Sequence, residues 1–498
     1  MNVNPITRLD YPDPDVIRVE DTYYMVSTTM HFMPGCEILQ SFDLVHWEHA
    51  TYVYETLDHT DAQQLKSGQN IYGQGMWAAS LRYHEGRFYI CFVANDTRKT
   101  YLYTSEKIDG PWKKQLIEGF YHDGSLLFDE DGRNYIVYGN DEIWITELNE
   151  DLTAPKKDGL HRLLVSDHKN PELGYEGSHI QKINGYYYIF LIHSLRDRWM
   201  RTEACFYSDS LEGEFTGGDV LCDDRGYCGQ GVAQGGIVDT PDGKWYAMLF
   251  QDSGAVGRLP ILLPVTWKDH FPVFGQNGHV PEEIEVHSTR PGYIYQPLVG
   301  SDDFCNGLLP RWQFNHDPDP QYYHLDALQG TYTITTREVC TELTQAVNTL
   351  TQRMSYPSCA AEVTVDASAL KEGDVAGLCA LQSCYAAVGI TKHHGKYEVL
   401  MLDKKEDGIL DMTEGTVVES HQMDFRLEAD FCNMKDEARC YYRVNKGDWL
   451  PIGTVHKLYF KLDHFTGCRF GLFCYAAEET AGSACFRDFK YYDVDEIS

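Results

Sequence analysis

Three carboxylic acids occupy equivalent positions in a pattern that recurs along this chain. Asp13, Asp123 and Glu176 each lie nine residues before a tight turn between two short β-rich runs. Trp77 and Gln234 hold the same position in two further copies of the pattern. Carboxyl groups donate and accept protons, so carboxyl groups held on separate strands can place an acid and a base on opposite sides of a small polar ligand.

Hydrolysis of a glycosidic bond needs this arrangement of carboxyl groups. In inverting enzymes one carboxylic acid protonates the leaving oxygen, and a carboxylate about 6.5–9.5 Å away activates water on the other face. A third carboxylate near the acid favours the protonated form of that acid at neutral pH through like-charge repulsion. Trp77 supplies an aromatic face of the kind on which sugar rings stack.

The elements that must hold these residues are β-strands. Short alternating runs of Tyr, Val, Ile and Phe are separated by Asp-Gly, Asn-Gly and Glu-Gly turns, and long amphipathic helical periods are nearly absent. Five segments combine a strand, a polar turn, an aromatic pair and a second strand: DPDVIRVEDTYYMV, WAASLRYHEGRFYICF, DGSLLFDEDGRNYIVY, EGSHIQKINGYYYIFL and QGGIVDTPDGKWYAML. They recur at intervals of 64, 46, 53 and 58 residues, which is the length of a four-stranded sheet with its loops.

Five such units predict an all-β fold that begins with a five-bladed β-propeller over residues 1–290. The innermost strands of a propeller surround one axis, so the five equivalent residues should form a ring near the mouth of the channel. The fragments SFDLVHW and SEKIDGPW both begin nineteen residues beyond the turn and predict the outer strands of the first two blades.

A second domain follows a break in the repeat. The segment STRPGYIYQPLVG, from Ser288, is rich in Pro and Gly and predicts a linker. Nine or ten short strands lie beyond it, among them AAEVTVDAS, VAGLCALQS and KYEVLMLD. They predict a jelly-roll, concanavalin-like β-sandwich over residues 300–498, in which no catalytic cluster is evident.

Six segments resemble, in order, the successive motifs of glycoside hydrolase family 43: YPDPDVIRVEDTYYMVST, MWAASLRYHEGRFY, YHDGSLLFDEDGRNYIVYGN, YEGSHIQKINGYYYIF, QGGIVDTPDGKWYAMLFQ and GAVGRLPILLPVTWKDHFPVFG. The resemblance covers nearly the whole chain. Members similar to β-xylosidases and α-L-arabinofuranosidases carry a C-terminal β-sandwich, which SDDF and LTQRMSYPSCAAEVTVD indicate here.

The resemblance implies roles for individual residues. Asp13 would be the general base, Glu176 the general acid and Asp123 the carboxylate that modulates the pKa of the acid. Arg258, in GAVGR, matches an arginine that reaches the axis and hydrogen-bonds sugar hydroxyls, and Phe32 lies in a loop that helps to wall the sugar pocket. The sandwich is similar to a domain that lends a side chain to close this pocket, and a carbohydrate-binding module is the alternative.

Two departures from the family pattern concern the ring. Gln234, in AQGG, is expected to bind substrate from the ring. It stands where the family often has a His that organises an ion or water, and the absence of that His puts an axial calcium ion in doubt. Ala79 replaces the usual proline after the WA pair, so the local turn should differ. We expect no required cofactor and no catalytic metal, and a calcium ion in the sandwich, through Asp303 or Asp488, stays open as an alternative.

Composition narrows the partners and the location. The 75 acidic and 42 basic side chains give a formal net charge of −33 at pH 7, which disfavours nucleic acids and anionic membranes as partners. The sequence shows no signal peptide or membrane-spanning stretch, and its fifteen cysteines lack metal-ligand spacing, which predicts free thiols in the cytoplasm. HExxH, Walker A and GxSxG motifs are absent, which disfavours zinc proteolysis, nucleotide hydrolysis and serine esterase chemistry.

Together with the patterns above, the family resemblance implies an exo-acting, inverting glycoside hydrolase that releases a terminal pentose from plant-cell-wall oligosaccharides. A β-1,4-linked xylo-oligosaccharide is the first choice of substrate, and an α-L-arabinofuranosyl side chain is the alternative. A non-catalytic sugar-binding propeller is the rival from another class, although a lectin has no use for a separated acid and base. A protein-interaction propeller would more readily show regular WD-type repeats. Assembly into a homo-oligomer stays open.

Overall fold

The computed structural model describes residues 3–493, so Met1, Asn2 and the last five residues of the predicted sandwich lie outside the described range. Over that range the regular structure consists of thirty-six β-strands and four short 3-10 helices, at Lys66–Gly68, Gly254–Val256, Leu343–Gln345 and Cys432–Met434. None of the helices described has the length and apolar character needed to cross a membrane. The predicted order, a five-bladed propeller followed by a β-sandwich, is confirmed.

Each blade is an antiparallel sheet of four strands that follow one another in the sequence. The first blade contains β1 (Asp15–Val19), β2 (Thr22–Val26) and, after the short strand β3 (Phe32–Met33), β4 (Gly35–Ser41) and β5 (Glu48–Tyr54). The second contains β6 (Met76–His84), β7 (Arg87–Ala94), β8 (Lys99–Ser105) and β9 (Lys113–Ile117). The third contains β10 (Ser125–Phe128), β11 (Asn134–Asn140), β12 (Glu142–Leu148) and β13 (His161–Ser166). The fourth contains β14 (Glu176–Ile183), β15 (Tyr186–Ser194), β16 (Arg201–Ser208) and β17 (Thr216–Leu221), and the fifth β18 (Val232–Asp239), β19 (Trp245–Asp252), β20 (Arg258–Lys268) and β21 (Phe271–Phe274).

Short turns join the first two strands of each blade, with two residues in blades one, two and four and five residues in blades three and five. In blade four, Asn184 and Gly185 have φ values of 51° and 85°, as the two central residues of a type I′ hairpin require. Glu85 and Gly86 form the same turn in blade two, with φ values of 47° and 77°. Because such a turn fixes the register of its two strands, residues nine positions before it reach the same height in different blades.

The prediction for the outer strands of the first two blades is wrong. Apart from its first residue, SFDLVHW lies between β4 and β5, where Asp43 Oδ1 accepts the N–H groups of Val45 and His46 at 2.9 and 2.8 Å. Such side-chain bonds to the backbone favour a turn over a strand. Most of SEKIDGPW likewise lies between β8 and β9, and its Pro111 has no N–H to offer to a sheet.

The second domain is a sandwich of two antiparallel sheets. Its strands are β22 (Gln313–Asn315), β23 (Tyr323–Asp326), β24 (Thr331–Thr335), β25 (Leu350–Arg353), β26 (Ser358–Asp366), β27 (Val375–Leu381), β28 (Ala386–His393), β29 (Lys396–Lys404), β30 (Leu410–Met412), β31 (Thr416–Val418), β32 (Gln422–Asp430), β33 (Glu437–Val444), β34 (Leu450–Lys457), β35 (Arg469–Tyr475) and β36 (Ser483–Asp493). One sheet has the order β3-β22-β25-β35-β27-β28-β29-β30, with β31 also on β29, and the other β23-β24-β36-β26-β32-β33-β34. The core between them includes the buried Phe425, Phe470 and Phe486. The prediction of nine or ten strands was too low, because three-residue strands such as β22 and β30 are too short to show alternation.

The sandwich is attached to the propeller beside the mouth. Strand β3 of blade one pairs with β22, so one sheet crosses from one domain to the other. Asp10 accepts the Arg258 N–H at 2.7 Å through Oδ1 and the Gly467 N–H at 2.8 Å through Oδ2. Arg353 of the sandwich lies 2.8 Å from Glu37 of blade one. These contacts hold the sandwich segment 461–467 against the first residue of β20.

Candidate active site

The mouth of the propeller collects residues from two places in every blade. The innermost strand of a blade starts at the mouth, and the second strand returns to it because the two are antiparallel. In blade four, Glu176 pairs with Ile192, and Ser194 pairs with Arg201 at the start of the third strand. The connection between the second and third strands therefore also lies at the mouth, at residues 27–34, 95–98, 141, 195–200 and 253–257.

The five ring residues lie where the innermost strands are irregular. The pairing register shifts next to Trp77, Glu176 and Gln234, so blades two, four and five carry a β-bulge at the ring. Asp13 and Asp123 lie two residues before their strands and have φ values of 53° and 48°. Bulges and left-handed residues redirect side chains, which explains how residues at the strand ends leave the pleat of their blades.

Contacts across the mouth join neighbouring ring residues. Asp123 Oδ2 accepts the Gly177 N–H of the next blade at 3.0 Å. The Gln234 side chain lies against the same glycine, since a Cβ on Gly177 would come within 2.8 Å of Gln234 Cδ. The Trp77 ring lies 5.7 Å from the His122 ring, beside Asp123. The structure therefore places these predicted residues next to one another.

Asp13 is buried and held by two donors. Thr28 Oγ1 donates to Asp13 Oδ2 at 2.6 Å, and Arg258 Nη1 donates to Oδ1 at 3.0 Å. Thr28 belongs to the 27–34 connection, and Arg258 is the first residue of β20. A carboxylate fixed at both oxygens keeps one orientation, and its free lone pairs can accept a proton from a water molecule.

Glu176 is the more accessible of the carboxyl groups, with 20% of its side chain exposed. Asn140 Nδ2, at the end of β11, donates to Glu176 Oε2 at 2.7 Å. His122 Nε2 lies 3.7 Å from the same oxygen. Blade three therefore positions the carboxyl group of blade four, and this group still reaches solvent, as a proton donor to a leaving oxygen must.

The buried Asp123 and the half-buried His122 form a charged pair beside Glu176. His122 Nε2 lies 3.5 Å from Asp123 Oδ2. Burial, together with the charges of Glu176 and Asp13, raises the pKa of Asp123 to about 6, although His122 opposes the rise. The negative charge of Asp123, helped by Glu176, raises the pKa of His122 to about 9. Near pH 7 a positive imidazolium therefore lies between two carboxyl groups.

Aromatic rings and unpartnered nitrogen atoms surround the ring of carboxyl groups. The Phe465 ring, from the sandwich, lies 5.6 Å from the Trp77 ring and 4.5 Å from the guanidinium carbon of Arg258. Among the buried nitrogens without a hydrogen-bond partner in the described range are three beside the carboxyl groups: Arg258 Nε and Nη2, and Trp77 Nε1. Buried polar groups normally have partners, so these nitrogens suit the hydroxyl oxygens of a ligand. Aromatic faces with convergent donors are what a sugar ring requires.

Phe32 lies in a β-strand and not in the predicted loop. It is 2% exposed, it pairs with Asn315 of the sandwich, and the guanidinium carbon of Arg469 lies 3.4 Å from its ring. The prediction that Phe32 lies in a loop is therefore wrong, because its strand β3 joins the sheet that links the two domains. The ring of Phe32 therefore packs at the domain junction.

A guanidinium group occupies the axis below the ring. Arg82, on β6, donates to Asp15 Oδ2 at 2.8 Å, to Ser125 Oγ at 2.7 Å and to the carbonyls of Leu126 and Ile180 at 2.8 and 3.1 Å. These acceptors belong to the innermost strands of three other blades. A fixed positive charge that uses the oxygens around the axis does not suit a second cation there, so these residues do not fit an axial calcium ion.

Residues that could hold a metal are few in the described range. The single cluster of three candidate ligands within residues 3–493 is His122, Asp123 and Glu176, whose ligand atoms lie within 4.8 Å of one another. Asp303 instead caps a turn by accepting the Cys305 N–H at 2.9 Å, and neither it nor Asp488 belongs to such a cluster. All fifteen cysteines lie in the described range and are free thiols.

A family model described as "Glycosyl hydrolases family 43" matches residues 3–272, which is more than half of the chain. The chain therefore belongs to glycosyl hydrolase family 43. A second model, described as "Beta xylosidase C-terminal Concanavalin A-like domain", matches residues 301–492. The propeller that carries the three carboxyl groups is thus the family 43 domain, and the sandwich that supplies Phe465 is its C-terminal companion.

Relatives of this family 43 chain include xylosidases and arabinosidases. A beta-xylosidase of Formosa agariphila is 26% identical over an alignment that covers 99% of this chain and 89% of that protein. A xylosidase/arabinosidase of Butyrivibrio fibrisolvens is 24% identical and covered to 99% in both chains. A solved structure of a "Bifunctional GH43-CE" from Bacteroides eggerthii is 42% identical with a TM-score of 0.92, covers 98% of this chain, and is itself covered to 63%. A solved GH43 glycoside hydrolase, engineered to display both endo-xylanase and exo-arabinofuranosidase activity, is 27% identical with a TM-score of 0.86 and 99% coverage of both chains.

Sequence patterns did not single out Thr28, Asn140, His122 or Phe465. Thr28 lies in a connection between second and third strands and Asn140 immediately before one, and the propeller topology brings these connections to the mouth. His122 directly precedes Asp123 in the HDGS motif, so its position was available from the sequence. Phe465 has no comparable signal, because it reaches the mouth only through the contact between the domains.

Proposed function

We propose that this protein is an exo-acting, inverting glycoside hydrolase that removes one terminal pentose from plant-cell-wall oligosaccharides, with β-1,4-linked xylo-oligosaccharides as its substrate. The proposal rests on the meeting of Asp13, Asp123 and Glu176 at one mouth, beside aromatic rings and unpartnered donors. The alignment of a beta-xylosidase with nearly the whole chain supports the choice of substrate.

In the proposed reaction, Asp13 takes a proton from a water molecule as that water attacks the anomeric carbon. Glu176 gives its proton to the glycosidic oxygen, so the bond breaks and the rest of the chain leaves as an alcohol. Asp123 holds the backbone beside the acid by accepting the Gly177 N–H at 3.0 Å, in addition to the pKa-modulating role that the family pattern implies. Arg258 orients the base and offers its other nitrogens to sugar hydroxyls.

Removal of a single terminal sugar agrees with the position of the sandwich. Phe465 packs near Trp77 and Arg258, so a side chain of the second domain walls the site. The Gly467 N–H bond to Asp10 and the pairing of β3 with β22 fix this wall to the propeller. A site walled on one side admits the end of a sugar chain more readily than its middle.

Release of α-L-arabinofuranosyl side chains is the second candidate. It is favoured by relatives that carry both names in full-length alignments and by the similarity to an engineered enzyme with exo-arabinofuranosidase activity. Both sugars are pentoses with similar hydroxyl patterns, so the unpartnered nitrogens of Arg258 and Trp77 suit either one.

Turnover of an aryl β-xyloside and an aryl α-L-arabinofuranoside tests the proposal, with proton NMR identifying the anomer that is released first. We expect faster hydrolysis of the xyloside with inversion at the anomeric carbon. Preference for the arabinofuranoside would select the second candidate, and first release of the retained anomer would contradict inversion. No turnover of either substrate would favour a non-catalytic sugar-binding propeller.

The role of the acid is tested separately with Glu176→Gln. This variant should lose about 100-fold or more in kcat on xylobiose, because the sugar leaving group needs a proton. It should keep most of its activity on aryl glycosides with acidic leaving groups, which depart as anions. Equal losses on both kinds of substrate would remove Glu176 from this role.

A further inference from the structure

Blade four presents an exposed aromatic residue at the mouth. The 195–200 connection joins β15 to β16 and lies at the same end of the blade as Glu176. Trp199, in this connection, is 45% exposed. Tryptophan offers the largest flat apolar face among the side chains, and such a face can stack on a sugar ring.

Contacts hold Trp199 in place and lead from it back to Asp13. The guanidinium carbon of Arg201 lies 5.2 Å from the Trp199 ring and 5.3 Å from the Phe250 ring. Arg258 packs against the same Phe250 ring, also at 5.3 Å, and donates to Asp13. The exposed indole is therefore part of the packed wall that carries the arginine of the site.

The proposed general acid determines the direction in which the leaving group departs. The acid must contact the glycosidic oxygen, so the sugar beyond that oxygen lies next to Glu176. Glu176 starts β14, in the same blade as Trp199. The described contacts between sandwich and propeller involve blades one, two and five and the segments 8–11, 55–75 and 222–231. A leaving group that crosses blade four therefore passes over a blade whose strands make no described contact with the sandwich.

The charges around this connection are already paired, which bears on the kind of sugar it can bind. Each of three arginines has a carboxylate partner: Arg196 with Asp167, Arg198 with Asp197, and Arg201 with Asp252. Recognition of an acidic sugar would use an arginine whose donors are free to form a bidentate pair with the ligand. The surface around Trp199 suits a neutral sugar instead.

We propose that Trp199 binds the leaving-group side of the substrate and serves as the platform for a neutral chain of xylopyranose units. This inference rests on the proposed function of the site. A xylopyranose ring has a flat face of C–H groups that packs on an indole, while its equatorial hydroxyls stay in solvent. Trp199 then determines which sugar chain is accepted as the leaving group, and this holds for either pentose in the pocket.

The test compares substrates with and without a leaving sugar in Trp199→Ala and Trp199→Phe. If the enzyme releases xylose, kcat/KM is measured on xylotetraose and on xylosyl fluoride. If it releases arabinose, kcat/KM is measured on arabinofuranosyl-substituted xylotetraose and on arabinofuranosyl fluoride. Trp199→Ala should lose about tenfold on the oligosaccharide, equivalent to about 1.4 kcal/mol, and less than about twofold on the fluoride. Trp199→Phe should recover part of the loss. The matched control is Trp449→Ala in the sandwich, where Arg443 packs 4.2 Å from the Trp449 ring, and it should change neither value.

An equal loss on both substrates would overturn the inference, because Trp199 would then act on the pocket or on folding. No loss on the oligosaccharide, or the same selective loss in Trp449→Ala, would overturn it as well. Failure of the proposed function is a different result, namely no turnover by the unmodified protein. In that case calorimetric titration with xylotetraose still tests whether Trp199 binds the xylose chain. Trp199→Ala should weaken binding about tenfold, and unchanged binding would refute the proposal.

Discussion

Replacing His122 by glutamine should change the pH dependence of hydrolysis in a direction that the structure determines. His122 Nε2 lies 3.5 Å from Asp123 and 3.7 Å from Glu176. A positive charge favours the ionised form of a neighbouring carboxyl group, so His122 opposes the rise that burial imposes on the pKa of Asp123. Glutamine keeps a hydrogen-bonding side chain but carries no charge. Asp123 should therefore hold its proton to higher pH in the variant.

The magnitude follows from the distance and from the two pKa values. The pKa of His122 is about 9 and that of Asp123 about 6, so His122 is charged throughout the range in which Asp123 titrates. An opposite charge within about 4–6 Å lowers the pKa of a carboxyl group by about 1–3. Without the imidazolium, the pKa of Asp123 should rise from about 6 to about 7 or above.

The assay is kcat/KM on an aryl glycoside, measured from about pH 4 to about pH 9. The acidic limb should lie near pH 6 in the unmodified enzyme, where Asp123 ionises, and at higher pH in His122→Gln. His59→Gln is the matched control. The His59 imidazole lies 2.8 Å from Asp317, and burial also raises the pKa of Asp317 to about 6. This pair lies at the domain junction, outside the ring. The profile of His59→Gln should not change. An acidic limb in His122→Gln that stays in place, or that moves to lower pH, would refute the reasoning.

Three other substitutions test the site and its support. Arg258→Ala should lower kcat/KM at least about tenfold, because Asp13 loses a charge-assisted hydrogen bond of about 1.5–3 kcal/mol, and unchanged steady-state kinetics would contradict this. Phe465→Ala should raise KM more than it lowers kcat, since the sandwich then no longer walls the pocket, and a loss in kcat alone would argue against that wall. Arg82→Met should lower Tm in calorimetry, because Asp15 becomes a buried charge without its arginine at a cost of about 3–5 kcal/mol, and an unchanged Tm would show that Arg82 does not hold the axis.

Much of the fold was predictable because its signals are local. Each copy of the repeat contains a strand, a short turn and an aromatic pair, and in blade four Asn184 and Gly185 have the positive φ values that a two-residue turn requires. The prediction failed where Asp43 caps a turn, since side-chain bonds to the backbone compete with a strand. It also missed the three-residue strands β22 and β30, which owe their place to pairing with distant neighbours.

The sequence by itself determined which residues share the ring. A fixed spacing before a hairpin turn places Asp13, Asp123 and Glu176 at one height, because strand rise and turn geometry are local properties. Tertiary structure decided what these residues can do. The pKa of Asp123 depends on burial and on the charges around it, and Phe465 reaches the site only because the sandwich docks there. Electrostatic energies and contacts depend on distances between groups that are far apart in the chain, and no local pattern carries those distances.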